Sequence, residues 1–340
     1  MVVCIPLLVS GCAGTPKRAA VGPDWIYAPS AVYPESQFIS AVGYGLDRES
    51  AEKNALASLA SIFGQSVQGE TTAIYRYAQA VADGRIDMGE HSAVESAVTT
   101  SVALDTLIGA EIKDRWFDRG DTWYAIAVMD RLTCGQLYAE LIESNLGIIR
   151  TLTARIEADR YSLEAYTRLI LAADIADANG VFLNVLSVLN PASAALRRNE
   201  VRSGEEYRVE GREIIANTPV AVHVTDDPTG RIAAAFNAAL STAGFRTGGN
   251  GRYTLEVSFS LTEVELPRNS NKFVRYVLEA NLRDTRSGQL LLPFAANGRE
   301  GHTTRPEAEN RALRAAENTI RGSFGEALAA YLTQSSPGAR

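Results

Sequence analysis

Apolar and polar positions follow the periods of strands and helices through the first half of the chain. Residues 37–43 alternate as a half-buried strand does, and the apolar positions after them recur at helical spacing. Asp47 stands where a helix N-cap is expected, and Gly64 stands where that helix should end. Residues 110–117 and 122–129 are separated by Asp-Arg-Gly-Asp, which predicts a β-hairpin.

The segments on either side of this hairpin have less distinct patterns. We expect residues 66–77 to be extended, and residues 92–104 to form either a strand or a helix. Helical spacing returns over residues 130–158. The Ala- and Leu-rich stretch 151–217 predicts two or three more helices, with Pro191 as its clear break.

The last third of the chain predicts a sheet with helices on one face. Asp226 and Asp227 are expected to cap and turn the chain rather than to bind calcium, and Pro228 to lie in the first turn of a helix. The predicted elements are a strand at 220–224, a helix at 232–243, strands at 253–266, 273–282 and 290–292, and a helix at 306–332.

The predicted fold class is α+β, with two α/β-sandwich domains of mostly antiparallel sheet joined by a helical segment. A length of 340 residues allows each domain its own core. The charged stretch 197–213 is expected to be a solvated helix that leads into the second domain. The predicted division is a signal segment at 1–11, a tether at 12–30, a domain at 31–140, a helical connector at 141–215 and a domain at 216–335.

The chain begins with a short apolar run that ends in Leu-Leu-Val-Ser-Gly-Cys-Ala, with the cysteine at position 12. The run is too short to span a bilayer and fits the apolar region of a signal peptide. Its end resembles the lipobox of bacterial lipoproteins, which implies that Cys12 becomes the first mature residue and carries a diacylglyceryl group and a further acyl chain such as palmitate. The alternatives are an ordinary secretory signal or an accidental apolar start on a cytosolic protein.

Two features near Cys12 depart from the usual lipobox, and a third bears on location. No Lys or Arg precedes Cys12, so we expect the true start to lie upstream, and Val9 stands where leucine is commoner. Ala13, rather than aspartate, follows the cysteine, which implies the outer membrane with the protein facing the periplasm. Residues 14–29 are rich in Gly, Pro, Ala and Thr, as is typical of a tether.

Three sequence strings point to a known family. They are FISAVGYG at 38–45, AEKNAL at 51–56 and WYAIAV at 123–128. Over residues 31–140 the chain resembles the Lpp-twenty lipoprotein family. The resemblance implies an envelope module of the kind found in outer-membrane lipoproteins and flagellar basal-body accessory proteins, without catalytic residues. The last third resembles, in element order, periplasmic domains of curli-secretion lipoproteins and of lipoprotein activators of penicillin-binding proteins.

Composition excludes some classes of partner. A formal net charge of −7 without a clustered basic tract argues against a nucleic-acid partner. Three cysteines make no disulfide framework, because Cys4 would leave with the signal and Cys12 would be lipidated. Cys134 is then expected to be a small core residue rather than a nucleophile.

Candidate chemistry along the chain is sparse. Gly43 and Gly45 flank Tyr44 between a predicted strand and helix, but Arg48 stands where a dinucleotide loop needs a small residue, so these glycines are expected to be turn residues. The histidines are far apart, without zinc spacing, and no Gly-x-Ser-x-Gly elbow occurs. They are His91, His223 and His302. We therefore expect no enzyme, no metal site and no cofactor.

These observations predict a lipid-anchored envelope protein that acts through protein contacts as an assembly or scaffold factor. An activator of a peptidoglycan synthase is one alternative, and a periplasmic enzyme is the alternative from another class. Trp25, Tyr27 and Tyr33 are expected to pack on the first domain, or else to form a contact patch near the membrane. Residues 253–266 and 273–282 are expected to offer free strand edges to a partner.

Overall fold

The computed structural model describes residues 22–64, 71–86, 107–118, 120–249, 251–267 and 270–334. Within these ranges the fold is of the α+β class, as predicted. Its strands are β1 (Phe38–Gly45), β2 (Glu111–Asp118), β3 (Thr122–Asp130), β4 (Val220–Thr225), β5 (Tyr253–Val264), β6 (Lys272–Asp284) and β7 (Leu290–His302). Its helices are α1 (Asp24–Tyr27), α2 (Pro29–Val32), α3 (Arg48–Ile62), α4 (Thr71–Ala82), α5 (Arg131–Ala154), α6 (Leu163–Leu189), α7 (Pro191–Arg197), α8 (Gly204–Ala216), α9 (Arg231–Thr242), α10 (Arg305–Thr319) and α11 (Gly325–Gln334).

The first sheet is antiparallel, with the order β1–β3–β2. The predicted cap is present, because the Asp47 carboxylate accepts a hydrogen bond from the Ser50 backbone N–H at 2.8 Å. Helix α3 buries Ala51, Ala55 and Leu59 against one face of the sheet. The predicted hairpin is present as β2 and β3.

Helix α4 contradicts the expectation that residues 66–77 are extended. From Thr71 onward the chain is helical, and Ala73, Tyr77 and Val81 are buried at helical spacing. Tertiary packing of this face outweighs the β-favouring Thr, Ile and Tyr residues of the segment. Residues 65–70, and the whole of 92–104, lie outside the described residues.

Helices α4 to α8 form one core together with the inner face of the first sheet. Helix α6 is the one helix of the described ranges that is long and apolar enough to cross a bilayer, yet 67% of its apolar window is buried within the protein. It is therefore the central core helix of this part. Asn190 and Pro191 end α6 and begin α7, as the sequence predicts.

Helix α8 is not the solvated helix expected over 197–213. Tyr207, Gly211 and Ile214 are buried along one face of it. The helix lies so close to α6 that a Cβ at Gly204 would be 2.5 Å from the Ala173 carbonyl oxygen. Only its other face carries the charged residues that suggested solvation.

The second sheet has the order β4–β5–β6–β7, with β4 parallel to β5 and the other pairs antiparallel. Helices α9 to α11 pack with the buried face of the sheet in a second core. Helix α9 begins at Arg231, so Pro228 lies in the preceding turn and not in the first helical turn. The predicted last helix is interrupted by a π-helical turn at Ile320–Phe324.

Specific bonds connect the second sheet to the helical core. The Leu163 backbone N–H at the start of α6 donates to the Tyr253 hydroxyl at 3.0 Å. Arg252 reaches Asp159, in the turn after α5, at 2.6 Å. Helix α11 also contributes, because the Thr333 carbonyl accepts a hydrogen bond from Arg85 at 2.8 Å.

Candidate functional site

The two cysteines considered for chemistry have different settings. Cys12, the predicted lipidation site, lies outside the described residues. Cys134 lies in the first turn of α5, is 4% exposed and places its Sγ 3.5 Å from the Gly109 carbonyl oxygen. Burial raises the pKa of the Cys134 thiol to about 11. The group is therefore protonated at neutral pH and fills core space, as the sequence suggested.

Gly43 and Gly45 lie inside strand β1 and not in a turn, which corrects the expectation for them. Gly43 pairs with Ala125 and Gly45 with Trp123 of β3. A Cβ at Gly43 would lie 2.1 Å from the Ala55 backbone nitrogen. These glycines are needed because α3 crosses β1 in direct backbone contact, and the place where a phosphate would sit is filled by the helix.

The other chemical candidates do not converge. His223 on β4 and His302 at the end of β7 lie on opposite edges of the second sheet, and His91 lies outside the described residues. The Asp227 carboxylate accepts hydrogen bonds from the Ala233 N–H at 2.9 Å and the Thr229 hydroxyl at 3.2 Å, which fits a capping role. Among described residues, no group of three or more His, Cys, Asp or Glu is placed to hold a metal ion.

A groove of about 550 Å³ lies between α4, α6 and the start of α8. Arg76 on α4 pairs with Asp174 of α6 at 3.0 Å, and Arg208 on α8 pairs with Asp177 at 2.6 Å. Burial raises the pKa of Asp174, against the opposing effect of both arginines. Because these charges pair with one another, the arrangement joins three helices.

One end of the first sheet collects aromatic side chains on both faces. On the outer face the ring centroids of Tyr44 and Tyr124 are 6.5 Å apart, and those of Tyr124 and Trp116 are 5.7 Å apart. On the face toward α3, Phe117 and Trp123 are 5.0 Å apart. We name as the aromatic end of the first sheet the residues Tyr44, Leu46, Trp116, Phe117, Trp123 and Tyr124.

Parts of this end are open to solvent. Tyr44 is 69% exposed and Leu46 is 86% exposed. Sequence reasoning did not identify the cluster, although a signal was present: aromatic pairs flank the predicted hairpin turn on both sides, as Trp116-Phe117 and as Trp123-Tyr124. Strand pairing then brings Tyr44 beside Tyr124.

The aromatic residues that follow the tether differ in their burial. Trp25 is buried on the outer face of the sheet, and its indole N–H donates to the Asp114 carboxylate at 2.9 Å. Tyr33 packs edge-to-face on Phe38 at 5.6 Å. Tyr27 remains 73% exposed. Trp25 and Tyr33 therefore pack, whereas Tyr27 is free for contact.

The prediction that residues 253–266 and 273–282 of the second domain offer free strand edges to a partner is wrong. Strands β5 and β6 are the two central strands, paired on both sides, so neither has a free edge. The lateral strands are β4 and the thirteen-residue β7. Strand β7 was missed beyond Leu292 because its glycines and Pro293 interrupt the apolar pattern. The rings of Tyr276 and Phe273 cover Gly298 and Gly301, which substitutes for the missing side chains.

Residues 23–130 match the model of the LPP20 lipoprotein family. This range runs from α1 to the end of β3, and it confirms the resemblance predicted over residues 31–140. The match supports an envelope-associated lipoprotein. No curated protein matches the chain.

Several solved structures are similar to parts of the chain. A minor lipoprotein from Acinetobacter baumannii has 12% identity and a TM-score of 0.28, covering 33% of this chain and 93% of its own. A lipoprotein from Neisseria meningitidis has 15% identity and a TM-score of 0.22, covering 30% of this chain and 97% of its own. A secreted protein from Helicobacter pylori has 11% identity and a TM-score of 0.44, covering 84% and 96%. Similarities this low carry no argument about function.

Proposed function

We propose that this chain is a lipid-anchored protein of the outer membrane that faces the periplasm and acts as an assembly or scaffold factor for envelope or flagellar proteins. The observation that carries the proposal is the match of residues 23–130 to the LPP20 lipoprotein family. The matched region begins eleven residues after Cys12, where the sequence resembles a lipobox. Ala13 supports the outer membrane as the destination.

The anchor is tested by moving the chain behind a complete lipoprotein signal and comparing it with its Cys12→Ala variant. One acyl chain gives marginal attachment at about 0.8 kcal/mol per buried CH₂, whereas two or three chains anchor stably. The parent protein should therefore float with membranes after a high-salt wash. The variant should leave an unlipidated, unanchored precursor. A variant that still floats would contradict lipidation at this residue.

We propose β7 as the surface through which the second domain contacts a partner. A long edge strand presents unpaired backbone groups to which another chain can add a strand. Pro293 indicates which backbone groups of β7 point away from β6, because proline is tolerated in a strand where a backbone N–H would point to solvent. The backbone N–H groups of successive residues point to opposite sides of a strand, so every second one points the same way. The N–H groups of Ala295, Asn297 and Arg299 therefore point to solvent, on the side where Pro293 has none.

The edge is tested with Asn297→Pro, which removes one outward N–H, against Asn297→Ala, which keeps it. Partners are captured from membranes with the lipidated full chain. The proline variant should lose the partner that the parent and the alanine variant retain. Equal capture of the partner by all three proteins would show that this edge of β7 does not bind it. A reproducible turnover by the protein, abolished by a single side-chain change, would replace the scaffold proposal with an enzyme.

A further inference from the structure

We infer that the aromatic end of the first sheet lies against the phospholipid headgroups of the membrane that holds the anchor. This inference rests on the proposed lipid attachment at Cys12. It adds a second, non-covalent contact with the lipid surface, which fixes how the protein is oriented on the membrane. Three observations carry it: where the tether joins the fold, which side chains lie there, and which charges surround them.

The tether joins the described fold at the aromatic end. Gly22, the first described residue, is buried, and a Cβ placed on it would lie 3.4 Å from the indole ring of Trp116. Residues 13–22 separate Cys12 from this point, and ten residues reach at most about 35 Å even when fully extended. That distance is roughly the diameter of a 100-residue domain. The aromatic end is therefore held close to the bilayer that carries the lipid.

The side chains at this end are of the kind that membrane interfaces favour. Trp and Tyr are enriched at headgroup level because their rings are apolar while their N–H and O–H groups can remain hydrated. Two of the three tryptophans of the chain, Trp116 and Trp123, are half-buried here. Phe117 is 42% exposed, and Tyr44 and Leu46 are more exposed still. Because the tether holds the local lipid concentration in about the millimolar range, even a weak contact becomes populated.

The charges around the aromatic end favour a zwitterionic lipid surface. Residues 47–49 and the hairpin turn 118–121 carry four acidic and two basic side chains, so this rim of the fold is net acidic, although Lys17 and Arg18 lie in the tether that precedes it. An anionic surface would repel this rim, and the repulsion would weaken as salt screens it. A zwitterionic surface exerts no such force, so contact there depends mainly on burial of the aromatic rings. We therefore commit to phosphatidylcholine- or phosphatidylethanolamine-type headgroups as the ligand.

Tryptophan emission tests the inference in the full, lipidated chain. The protein is reconstituted into phosphatidylcholine vesicles that include a lipid with a nitroxide quencher on its headgroup, and into vesicles without this quencher. All tryptophans of the chain belong to the first sheet and the α1 helix on it, so the emission reports on this region alone. Much of the emission should be lost in the vesicles that carry the quencher. The double variant Trp116→Phe/Trp123→Phe, which keeps only buried Trp25, should lose far less.

Two double variants at exposed apolar positions distinguish a lipid contact of the aromatic end from a contact that any exposed apolar side chain would make. Tyr44→Ser/Leu46→Ser should reduce the quenching, whereas Tyr75→Ser/Leu196→Ser should not, because the latter side chains are also exposed but lie on α4 and α7. Replacing part of the lipid with phosphatidylglycerol should reduce quenching at low salt and restore it at high salt.

Two outcomes would overturn the inference. They are unquenched emission from protein that still floats with the vesicles, and equal effects of the two double variants at exposed positions. If Cys12 is not lipidated, the protein carries no lipid and does not float with the vesicles at all, which is a different result from these two. The proposed function can thus survive the loss of this inference, and the two failures give different results.

Discussion

At the residue scale, the packing of α3 on the first sheet depends on Gly43. A Cβ there would lie 2.1 Å from the Ala55 nitrogen and 2.6 Å from the Ala51 carbonyl oxygen, both of which are backbone atoms that cannot rotate away. Gly43→Ala must therefore displace the helix. We expect it to lower the free energy of unfolding by about 2–3 kcal/mol, measured by urea denaturation.

A glycine without such a neighbour provides the control. Gly147 lies within α5, and apart from its chain neighbours and the adjacent backbone of that helix, no described heavy atom lies within 4 Å of the position that an added Cβ would take. Gly147→Ala should therefore stabilise the protein by about 0.5–1 kcal/mol. If Gly43→Ala proves as stable as the parent, α3 does not contact β1 in the way described.

Arg252 is one of the residues that join the second sheet to the helical core. Its guanidinium donates to the Asp284 carboxylate at 2.8 and 3.0 Å and to Asp159 at 2.6 Å. Burial alone raises the pKa of Asp284, but hydrogen bonds from Arg252 and from the Arg286 backbone N–H outweigh burial and hold that pKa below its ordinary value. Ionised Asp284 therefore contributes stability.

Arg252→Met should lower the free energy of unfolding by about 2 kcal/mol near neutral pH, because it leaves Asp284 buried without its main partner. A depressed carboxyl pKa contributes stability above the unfolded pKa of about 3.9, and this contribution is lost as pH falls through the folded pKa. The effect of the substitution should therefore shrink in acid. Exposed Arg286, 3.5 Å from Asp159, is the control, and Arg286→Met should cost at most about 0.5 kcal/mol. A pH-independent effect of Arg252→Met would contradict this role of the Asp284 carboxylate.

At the element scale, a buried polar chain fixes α4, α5 and α6 relative to one another. The Tyr77 hydroxyl donates to the Asn145 side-chain oxygen at 2.8 Å, and the Asn145 amide donates to the Asn179 oxygen at 2.8 Å. Both asparagines are fully buried. Asn145→Leu deprives both partners of this bond, so we expect a loss of about 2–4 kcal/mol in the free energy of unfolding.

The control for this prediction is Asn184→Leu, at an exposed position of the same helix α6. It should change the stability by no more than about 0.5 kcal/mol. Equal effects of the two substitutions in thermal or urea unfolding would show that the polar chain does not hold the three helices together.

Local signals decided which elements could be predicted from the sequence. Asp47, the Asp-Arg-Gly-Asp turn and Pro191 act on neighbouring residues, so the elements that they delimit were predictable. Helix α4 and the later part of β7 depend on distant partners. Tyr77 contacts α5 across 68 residues, and Gly298 is covered by Tyr276 from the adjacent strand. In α4 the apolar residues do recur at helical spacing, but the Thr, Ile and Tyr residues of the segment also favour a strand, and only the distant partners decide between the two. In β7 the glycines and Pro293 leave no regular apolar pattern.

The candidate functional surfaces could likewise be predicted only where the signal is local in the sequence. Cys12 could be predicted as a lipidation site because a lipobox is a contiguous string of residues, and it stays a prediction. The aromatic end was not found, since it assembles from three strands whose pairing order, β1–β3–β2, differs from their order in the chain. The free edge was first assigned to β5 and β6 for a related reason: strand length can be judged locally, whereas position within a sheet cannot.

At the scale of the whole molecule, the turn at 198–203 between α7 and α8 is exposed and open to cleavage. Arg198 and Arg202 are exposed there, whereas α8 itself is packed on α6. Trypsin should cut first in this turn or in residues 13–29. The two fragments from the turn should stay together in native size-exclusion chromatography, because Arg252 and Tyr253 still bind the helical core. A first cut within residues 37–63 would contradict this organisation.

The proposed location and the proposed membrane contact both depend on Cys12 being the lipid-bearing first residue of the mature protein. Mass spectrometry of the N-terminal peptide, prepared from the membrane-bound protein made with a complete signal, examines this residue without an intermediate step. We expect a peptide that begins at Cys12 and carries the added mass of a diacylglyceryl group, with or without a further acyl chain. A mature peptide that begins elsewhere, or an unmodified cysteine at position 12, would contradict lipid attachment at this residue.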